Sequence, residues 1–396
     1  MRRAVLASLV AAALAGPQPG CDDVDRSAEP LLRQADVFVS GTEGYHTFRI
    51  PAAVVTPGGE LLAFAEGRKA GQGDSGDVDL VLRRSLDGGE TWQPLQVVWD
   101  DGANTCGNPC AVVDRDTRAV WLLMTHNLGQ DTEAQILGGT SRGARTVWVS
   151  RSADDGATWD PPREITADVK KPDWTWYATG PGVGIQLTSG RLVVPCDHAV
   201  AGTKAMESHV LYSDDHGKTW RLGGSAGPAT NECQVIERTD GMLLLNMRNY
   251  DPKHPNVRAL AASADGGLAW SGAWFDAALV EPVCQAAFLR CPDAECGDRT
   301  LVLFSNPASP RRENLAVRLS RDEARTWPVA RTLHPGPAAY SSLAVLADGT
   351  IACLYECGDR GPYERIALAR FNLAWLTEGE HAPPGDAGKP PPADAK

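Results

Sequence analysis

The chain has 396 residues, of which 43% are hydrophobic, so it can bury a large core. Its 50 acidic against 38 basic residues give a net charge of −12, which argues against nucleic acid or an acidic membrane surface as the partner. This charge does not exclude a small anionic substrate, because a local cluster of arginines can outweigh the distant charges of the chain.

The first segment has the features of an export signal. Met1-Arg2-Arg3 is a charged start, and the apolar run AVLASLVAAALAG follows it. This run is too short for a membrane span. We therefore expect residues 1–21 to be a signal peptide, and the mature protein to be secreted, periplasmic or held at the cell surface. Cys21 follows Gln18-Pro19-Gly20, which loosely resembles a lipoprotein cleavage site, so a lipid anchor at Cys21 stays open.

The next part of the chain consists of short β-type runs separated by Gly, Pro, Asn and Asp. Helical periodicity is hardly visible, which predicts an all-β fold. We expect the strand near Val37–Ser40 to pair with C-terminal strands around Ile366–Phe371. Further predicted strands are, in chain order, Leu61–Ala65, Val120–Met124, Leu192–Pro195, Met242–Met247, Thr300–Phe304 and Thr350–Tyr355.

One eight-residue pattern, S-x-D-x-G-x-T-W, occurs five times, and its starts lie 50 to 67 residues apart. Asp and Ser side chains can bond nearby backbone N–H groups, Gly supplies a positive φ, and Thr-Trp returns the chain to a strand. The fourth copy has Ala269 in the Thr place, and the fifth has Ala324 in the Gly place. Calcium binding is the alternative, but one Asp per copy is a poor oxygen cage. The copies, which we call Asp boxes, are Ser85–Trp92, Ser152–Trp159, Ser213–Trp220, Ser263–Trp270 and Ser320–Trp327.

A repeat of strands and tight turns at this spacing predicts a β-propeller. Roughly 340 residues at a period of about 59 make about six blades, so one blade must lack its own box. We predict a six-bladed β-propeller with five Asp-box turns over residues 36–378. Residues 379–396 are polar and rich in Pro and Ala, which predicts a disordered tail.

The nine cysteines after Cys21 are typical of an oxidising compartment. Zinc is the alternative, but there is no C-x₂-C pair and the eight histidines are scattered. We expect no metal and no other cofactor. The pairs that are close enough in sequence to bond locally are Cys106/Cys110, Cys291/Cys296 and Cys353/Cys357, which leaves Cys196, Cys233 and Cys284.

Several polar stretches lie outside the boxes. Taken singly, a lone Arg is usually solvated or paired, and a Glu in a strand is usually an exposed alternate position. A propeller, however, brings strand and loop ends from different blades onto one face, where such side chains could converge. The stretches are FRIP (Phe48–Pro51), AFAEGR (Ala63–Arg68), GQGDSGDVD (Gly71–Asp79), NECQV (Asn231–Val235), NMRN (Asn246–Asn249), RRENL (Arg311–Leu315), AYSS (Ala339–Ser342) and LYE (Leu354–Glu356).

In the order of these motifs the chain resembles the exo-sialidases (neuraminidases), of the bacterial secreted type, over nearly the whole mature chain. The FRIP motif is more specific than the Asp boxes, which other propellers share. Sixteen residues separate Glu232 from Arg248 and twenty-eight separate Arg312 from Tyr340, spacings that resemble those of bacterial members. The resemblance implies a retaining exo-alpha-sialidase that needs no metal. Its partners would be sialylated glycoproteins, glycolipids and oligosaccharides.

The resemblance also implies which residues bind the substrate. Arg49, Arg248 and Arg312 resemble an arginine triad that binds the carboxylate of the sugar, and Arg311 is the adjacent alternative to Arg312. Guanidinium groups suit this task because they bind carboxylates through two parallel hydrogen bonds and stay charged. The resemblance implies, more loosely, that Arg68 and Asn108 contact the substrate in the pocket. Glu356 resembles the carboxylate that would hold the first arginine.

The catalytic residues implied by the resemblance are Asp74, Tyr340 and Glu232. Asp74 resembles the acid/base, with Asp77 and Asp79 as alternatives in the same loop. Tyr340 resembles the nucleophile, and Glu232 its proton acceptor. Retaining glycosidases usually use a carboxylate nucleophile, and sialidases use Tyr. The carboxylate of sialic acid would repel a negative nucleophile, whereas a neutral phenol avoids that repulsion.

Two alternatives stay open. A non-catalytic Asp-box propeller that only binds glycans or proteins would be expected to lack Tyr340, Glu232 or Asp74, and all three are present. An intramolecular trans-sialidase would share these residues.

Overall fold

The computed structural model describes residues 29–378, apart from residues 204 and 299, and strands dominate this part of the chain. The predicted signal peptide, Cys21 and the predicted tail at 379–396 lie outside the described residues. No helix in the described part is long and apolar enough to cross a membrane. The predicted all-β fold is confirmed, since the helices are short: α1 (Glu133–Leu137), α2 (Thr166–Val169), α3 (Asp293–Cys296) and α4 (Leu373–Thr377).

The strands form six successive antiparallel runs of four strands, which we number in chain order. The first run is β2 (Thr47–Val55), β3 (Leu61–Arg68), β4 (Val78–Ser85) and β5 (Gln96–Trp99). The second is β6 (Thr105–Asp114), β7 (Ala119–Asn127), β8 (Thr146–Ser152) and β9 (Arg163–Glu164). The third is β10 (Trp174–Thr179), β13 (Leu192–Val200), β14 (Met206–Ser213) and β15 (Arg221–Pro228), with the short strands β11 (Gly182–Val183) and β12 (Ile185–Gln186) between β10 and β13.

The fifth and sixth of the last three runs share one long strand. The fourth run is β16 (Thr230–Glu237), β17 (Leu243–Asn249), β18 (Val257–Ser263) and β19 (Trp274–Val280). The fifth is β20 (Ala287–Arg290), β21 (Val302–Pro307), β22 (Glu313–Ser320) and the first half of β23 (Val329–Val345). The sixth is the second half of β23, then β24 (Ile351–Cys357), β25 (Arg365–Phe371) and β1 (Leu32–Val39).

Neighbouring runs contact each other, and the sixth also contacts the first. β2 packs against β6 of the second run and against β23 of the sixth. A single parallel pair, Val78 with Thr105, joins the first two runs into one sheet, and β23 joins the fifth and sixth. The runs therefore form a continuous series whose two ends meet.

The N-terminal strand completes the last run. Leu32 lies opposite Phe371, and Val39 lies opposite Arg365. Just outside the strand, the N–H group of Leu31 donates to Oδ1 of Asn372 over 3.0 Å. The predicted pairing of the chain's first strand with its C-terminal strands is confirmed.

The Asp boxes are turns at the ends of β4, β8, β14, β18 and β22, as predicted. In the first, Oδ1 of Asp87 accepts hydrogen bonds from the Ser85 hydroxyl (2.7 Å) and the Thr91 N–H group (2.9 Å). The Thr91 hydroxyl donates to Oδ2 over 2.6 Å. Both carboxylate oxygens thus bond within the turn, which is the structural role that the pattern predicts.

The two imperfect boxes keep the turn. Asp265 still accepts from the N–H group of Ala269, although no hydroxyl stands there. In the fifth box, the N–H group of Ala324 donates to the Ser320 hydroxyl over 2.9 Å, as the Gly does in the other boxes. Ala324 adopts a φ of 65° to make this bond, in the left-handed region that favours glycine.

The box tryptophans pack between neighbouring runs. Trp159 meets Phe64 edge-on at 5.7 Å between ring centres, and Trp220 meets Trp121 at 6.3 Å. In each pair the box Trp belongs to the later run and its partner to the preceding one. Repetition of the box therefore supplies aromatic contacts between runs.

The nine cysteines in the described part are all buried and free. Cys353 and Cys357 lie four residues apart on β24, a rise of about 13 Å, which no disulfide can span. Cys106 and Cys110 share β6 but belong to two different hydrophobic clusters. These two local pairings were wrong, because both pairs lie on extended strands. Cys291 and Cys296 flank a turn instead, and their thiols lie within hydrogen-bonding reach.

Candidate active site

The strands that face the site are irregular near one end. The pairing register shifts in five strands, β2, β6, β10, β16 and β23, where an extra residue or a bulge interrupts the regular alternation. Such a bulge re-aims the side chains beside it. Ile50 and Asn108, beside two of the shifts, have φ of 60° and 53°. The irregularities coincide with predicted site residues Arg49, Asn108, Glu232 and Tyr340.

A cavity of about 140 Å³ lies where these strand ends meet. Glu356 is fully buried and bonds three of the residues in the cavity wall. The structure therefore brings together predicted site residues from five runs that are far apart in sequence. The predicted residues in the cavity wall are Arg49, Arg68, Asp74, Asn108, Glu232, Arg248, Arg312 and Tyr340.

Glu356 holds Arg49 in place. Its Oε1 atom accepts from Nε of Arg49 over 3.1 Å and from the Ile50 N–H group over 2.8 Å. Its Oε2 atom accepts from Nη2 of Arg49 over 3.3 Å and from the Tyr340 N–H group over 3.1 Å. Burial alone would lower the pKa of Arg49, but the charge of Glu356 raises it well above its usual value. One buried carboxylate thus fixes an arginine and the backbone at Tyr340 together.

Of the other two predicted arginines, Arg312 reaches the cavity from the fifth run and Arg248 from the fourth. Nη1 of Arg312 donates to the Tyr363 hydroxyl over 2.6 Å, and the Tyr363 ring lies 4.0 Å from the guanidinium carbon of Arg49. Arg311 points outward, with 81% of its side chain exposed, and pairs with Glu313. Of the two adjacent arginines, Arg312 is therefore the one that reaches the cavity.

Tyr340, Glu232 and Arg248 form one hydrogen-bonded group. The Tyr340 hydroxyl donates to Oε1 of Glu232 over 2.5 Å. Nη1 of Arg248 donates to Oε2 of Glu232 over 2.7 Å and to the Tyr340 hydroxyl oxygen over 3.1 Å. Burial and the charge of Glu232 raise the pKa of Tyr340 well above its usual value, against the opposing charges of Arg248 and Arg312. The phenol is therefore protonated, with its proton directed at a carboxylate.

Asp74 lies at the open side of the cavity, with 53% of its side chain exposed. It contacts Nη2 of Arg68 at 2.8 Å and Nη1 of Arg49 at 3.5 Å. Partial burial alone would raise the pKa of Asp74, but the charges of Arg68 and Arg49 outweigh it and lower that pKa. Of the two alternatives, Asp77 pairs with Lys69, and neither it nor Asp79 lines the cavity.

Asp79 is buried in a different environment. It accepts a hydrogen bond from the Tyr45 hydroxyl over 2.6 Å and pairs with Lys69 at 3.1 Å. Burial raises the pKa of Asp79. Its contacts are those of a structural carboxylate beneath the loop.

The side chain of Asn108 lines the cavity in a fixed orientation. Its Oδ1 atom accepts from Nη2 of Arg145 and from the Thr125 hydroxyl. Its N–H group on the backbone donates to Oε1 of Glu66 over 2.8 Å. Since Oδ1 is occupied, the side-chain NH₂ group is the end left to donate to a ligand.

Sequence reasoning missed several residues of the cavity wall. Glu66 stood in the quoted stretch AFAEGR, and its burial within an apolar strand was the available signal; it accepts from Nε of Arg68 over 3.0 Å. Arg145 and Asp197 gave no signal, because nothing in their local sequence shows that they are buried. The remaining unpredicted wall residues are Ile50, Thr105, Glu133, Trp176, Ala178, Asn231 and Tyr250.

One group in the described part of the chain has metal-ligand chemistry. Asp114, Asp116 and His216 bring ligand atoms within 4.8 Å of one another, outside the cavity. The Asp114 carboxylate already accepts from the Thr117 hydroxyl and from Nε2 of Gln186. These hydrogen bonds account for the role of Asp114 in the fold.

Comparison with known proteins places this geometry in a family. A model of the BNR repeat-like domain matches residues 59–353. The chain is 37% identical over 389 residues to a sialidase of Micromonospora viridifaciens, covering 93% of this chain and 59% of the relative. It thus spans less than two thirds of that protein's length.

Two further comparisons cover more of the related chain. An exo-alpha-sialidase of Aspergillus fumigatus is 33% identical over 390 residues, which cover 88% of this chain and 91% of the relative. The solved structure of the Hadza microbial sialidase Hz136 matches with a TM-score of 0.79 at 29% identity. That match covers 87% of this chain and 69% of the other.

Proposed function

Because this chain is an enzyme of the sialidase family, we propose that it is a retaining exo-alpha-sialidase acting through a tyrosyl intermediate. Its substrates would be glycoproteins, glycolipids and oligosaccharides that end in an α-linked sialic acid. The observation that carries the proposal is the hydrogen bond from the Tyr340 hydroxyl to Glu232 inside a cavity whose wall includes Arg49, Arg248 and Arg312.

Arg49, Arg248 and Arg312 would bind the carboxylate of the sugar. Three guanidinium groups from different runs reach one cavity, which is an unusual concentration of positive charge in a chain of net charge −12. Sialic acid bears its carboxylate on the anomeric carbon, so binding there holds the reacting carbon beside Tyr340.

In the first step, Tyr340 Oη would form a bond to the anomeric carbon while the glycosidic bond breaks. The phenol proton passes to Glu232, towards which it already points over 2.5 Å. Asp74 donates a proton to the departing oxygen. A neutral nucleophile suits this carbon, because the attached carboxylate would repel an anion.

In the second step, water would attack the anomeric carbon and give its proton to Asp74. Tyr340 leaves and recovers its proton from Glu232. Two displacements retain the anomeric configuration.

Asp74 must be protonated to act as the acid, although Arg68 and Arg49 favour its ionised form in the free enzyme. A bound sugar carboxylate would compete with Asp74 for Arg49, which lies 3.5 Å from it. Neutralising Arg49 in this way raises the pKa of Asp74. Substrate binding would therefore prepare the acid.

We also propose that the six runs are the blades of a six-bladed propeller around the cavity, supported by the contact between the first and sixth runs. Export on residues 1–21 is part of the same proposal and rests on the sequence alone.

The test is release of sugar from a fluorogenic sialoside, with the products followed by NMR. We expect free sialic acid, formed first as the α-anomer. A 2,7-anhydro product would instead assign the chain to intramolecular transfer, and the absence of any turnover would favour a binding protein.

A further inference from the structure

Asp197 is a carboxyl group of the cavity wall with no hydrogen-bond partner. The residue is fully buried, and neither of its oxygens is bonded. Within residues 29–378, leaving aside 204 and 299, no other carboxyl group has both oxygens buried and unbonded. An unsatisfied buried carboxyl is costly, so it calls for an explanation.

The neighbouring carboxylates of the site are satisfied. Glu356 accepts four hydrogen bonds, and Glu232 accepts from Tyr340 and Arg248. Against these, Asp197 stands out as a polar group for which the protein alone provides no partner. The difference points to a ligand as the missing partner.

The strand directs Asp197 towards the cavity. On β13, Asp197 pairs with Ala178 of β10 and with Ser208 of β14. The next residue, His198, points away and stacks on Trp174 with 3.4 Å between ring centres. Alternation along the strand therefore places Asp197 on the cavity side and its neighbour in the core.

The environment favours the uncharged form of Asp197. Burial, reinforced by the charge of Glu232, raises the pKa of Asp197 well above its usual value, and Arg145 and Arg248 only partly oppose this. Arg145 is itself bonded to neutral oxygens, including the Tyr177 carbonyl at 2.6 Å. A protonated carboxyl can donate one hydrogen bond and accept another, so it suits a hydroxyl or an amide rather than a charged group.

Asp197 reaches the cavity from a different run than the residues that would bind the carboxylate. Arg49, Arg248, Arg312 and Tyr340 belong to the first, fourth, fifth and sixth runs, whereas Asp197 belongs to the third. A cavity of about 140 Å³ has little room beyond one sugar. A sugar held by its carboxylate would turn its uncharged substituents towards the remaining walls.

We propose that Asp197 determines specificity by hydrogen-bonding the N-acyl group or the polyhydroxyl side chain of the bound sialic acid. The inference rests on the proposed function and adds the recognition of a second part of the same sugar. Each of these two groups can donate and accept a neutral hydrogen bond.

The test combines two replacements with three substrates. Asp197→Asn keeps the shape and both hydrogen-bonding functions without a proton to lose, and Asp197→Leu keeps only the size. The substrates are a fluorogenic sialoside, its analogue with a shortened polyhydroxyl chain, and its analogue with hydrogen in place of the N-acylamino group.

For the parent sialoside, Asp197→Leu should lower kcat/KM by about three- to tenfold, the effect of one neutral hydrogen bond. Asp197→Asn should retain most of the activity. The loss should disappear on whichever analogue lacks the contacted substituent, which identifies that substituent. Asp214→Asn, which changes an exposed carboxylate paired with Arg191 outside the cavity, is the control and should behave as the unchanged protein.

Several outcomes would overturn the inference. These are an unchanged kcat/KM in Asp197→Leu, an equal loss on all three substrates, or a loss in Asp197→Asn as large as in Asp197→Leu. Asp197→Ala gives the same comparison if the leucine variant does not fold. If the unchanged protein releases no sialic acid, the proposed function itself has failed, which is a different result.

Discussion

Tyr340 and Glu232 lie 108 residues apart in the chain, yet their side chains share a hydrogen bond of 2.5 Å. They belong to the sixth and fourth runs, so this contact exists only when the runs are assembled. Arg248 bonds both of them and fixes their mutual orientation. In the proposed mechanism, the nucleophile and its proton acceptor are therefore already in position before a substrate arrives.

The first prediction concerns Tyr340 as the nucleophile. A fluorinated sialosyl donor that slows the second step should leave the sugar covalently attached to Tyr340, as mass spectrometry of the digested protein would show. Tyr340→Phe keeps the ring but removes the attacking oxygen, so the adduct and most turnover should be lost. Glu232→Gln should slow formation of the adduct, because the proton acceptor is gone. An unmodified Tyr340 peptide, with normal turnover in Tyr340→Phe, would contradict the assignment.

The second prediction concerns Arg248. Arg248→Lys keeps the charge but cannot bond Glu232, Tyr340 and a substrate carboxylate in the same geometry. We expect kcat/KM to fall by a factor that corresponds to about 1.5–3 kcal/mol, the usual contribution of a charge-assisted bond. Arg311→Lys is the matched control, because Arg311 is exposed, and it should leave the kinetics unchanged. Unaltered kinetics in Arg248→Lys would rule out the carboxylate-binding role.

The third prediction concerns Asp74 as the acid. Asp74→Ala should strongly slow substrates with poor leaving groups and spare activated aryl sialosides, whose leaving oxygen needs no proton. Asp77→Ala serves as the control, since Asp77 pairs with Lys69 and does not line the cavity. The opposite pattern, with the leaving-group dependence in Asp77→Ala, would assign the acid to Asp77.

The fourth prediction concerns pH. In the free enzyme, Arg68 and Arg49 lower the pKa of Asp74, so its protonated form is lost at low pH as pH rises. A bound carboxylate that neutralises Arg49 would raise that pKa. Because kcat/KM reports the free enzyme and kcat the complex, the alkaline fall of kcat should lie at higher pH than that of kcat/KM. Coincident midpoints in the two profiles would show that substrate does not affect Asp74.

The fifth prediction concerns stability. Ala324 has a φ of 65° in the fifth Asp box, where all four other boxes have a glycine with positive φ. Ala324→Gly should therefore stabilise the fold by about 0.5–1 kcal/mol, measured as a higher midpoint of thermal unfolding. Ala269→Gly is the control: Ala269 has no positive φ, and the replacement should lower the midpoint. A lower midpoint in Ala324→Gly would show that the left-handed alanine causes no strain.

Much of the fold could be predicted because its signals are local. The Asp boxes, the short strands and the pairing of the first strand with the last all follow from turn chemistry and repetition. The failed cysteine pairs show where this reasoning ends. Nearness in sequence predicts nearness in space at a turn, as at Cys291 and Cys296, but not along an extended strand, as at Cys353 and Cys357.

The candidate site was predictable where its motifs resembled those of a known family. The eight cavity residues named from the sequence do converge, and Arg312 rather than Arg311 faces inward. Asp197 could not have been found in this way. Asp197 is singled out because its carboxyl group has no hydrogen-bond partner. That property depends on the residues around it in the fold, and the local sequence does not show it.

The pairing of β1 with β25 has a consequence for synthesis. On the ribosome, β1 is made first, and its partner emerges only after about 330 further residues, on the order of tens of seconds later. Until then β1 is an unpaired strand that could join another nascent chain. Its residues 33–36 are exposed even in the finished fold and include Arg33, Gln34 and Asp36. A polar strand of this kind is a poor template for association between chains. It can therefore remain unpaired, without aggregating, until the C-terminal strands have been synthesised.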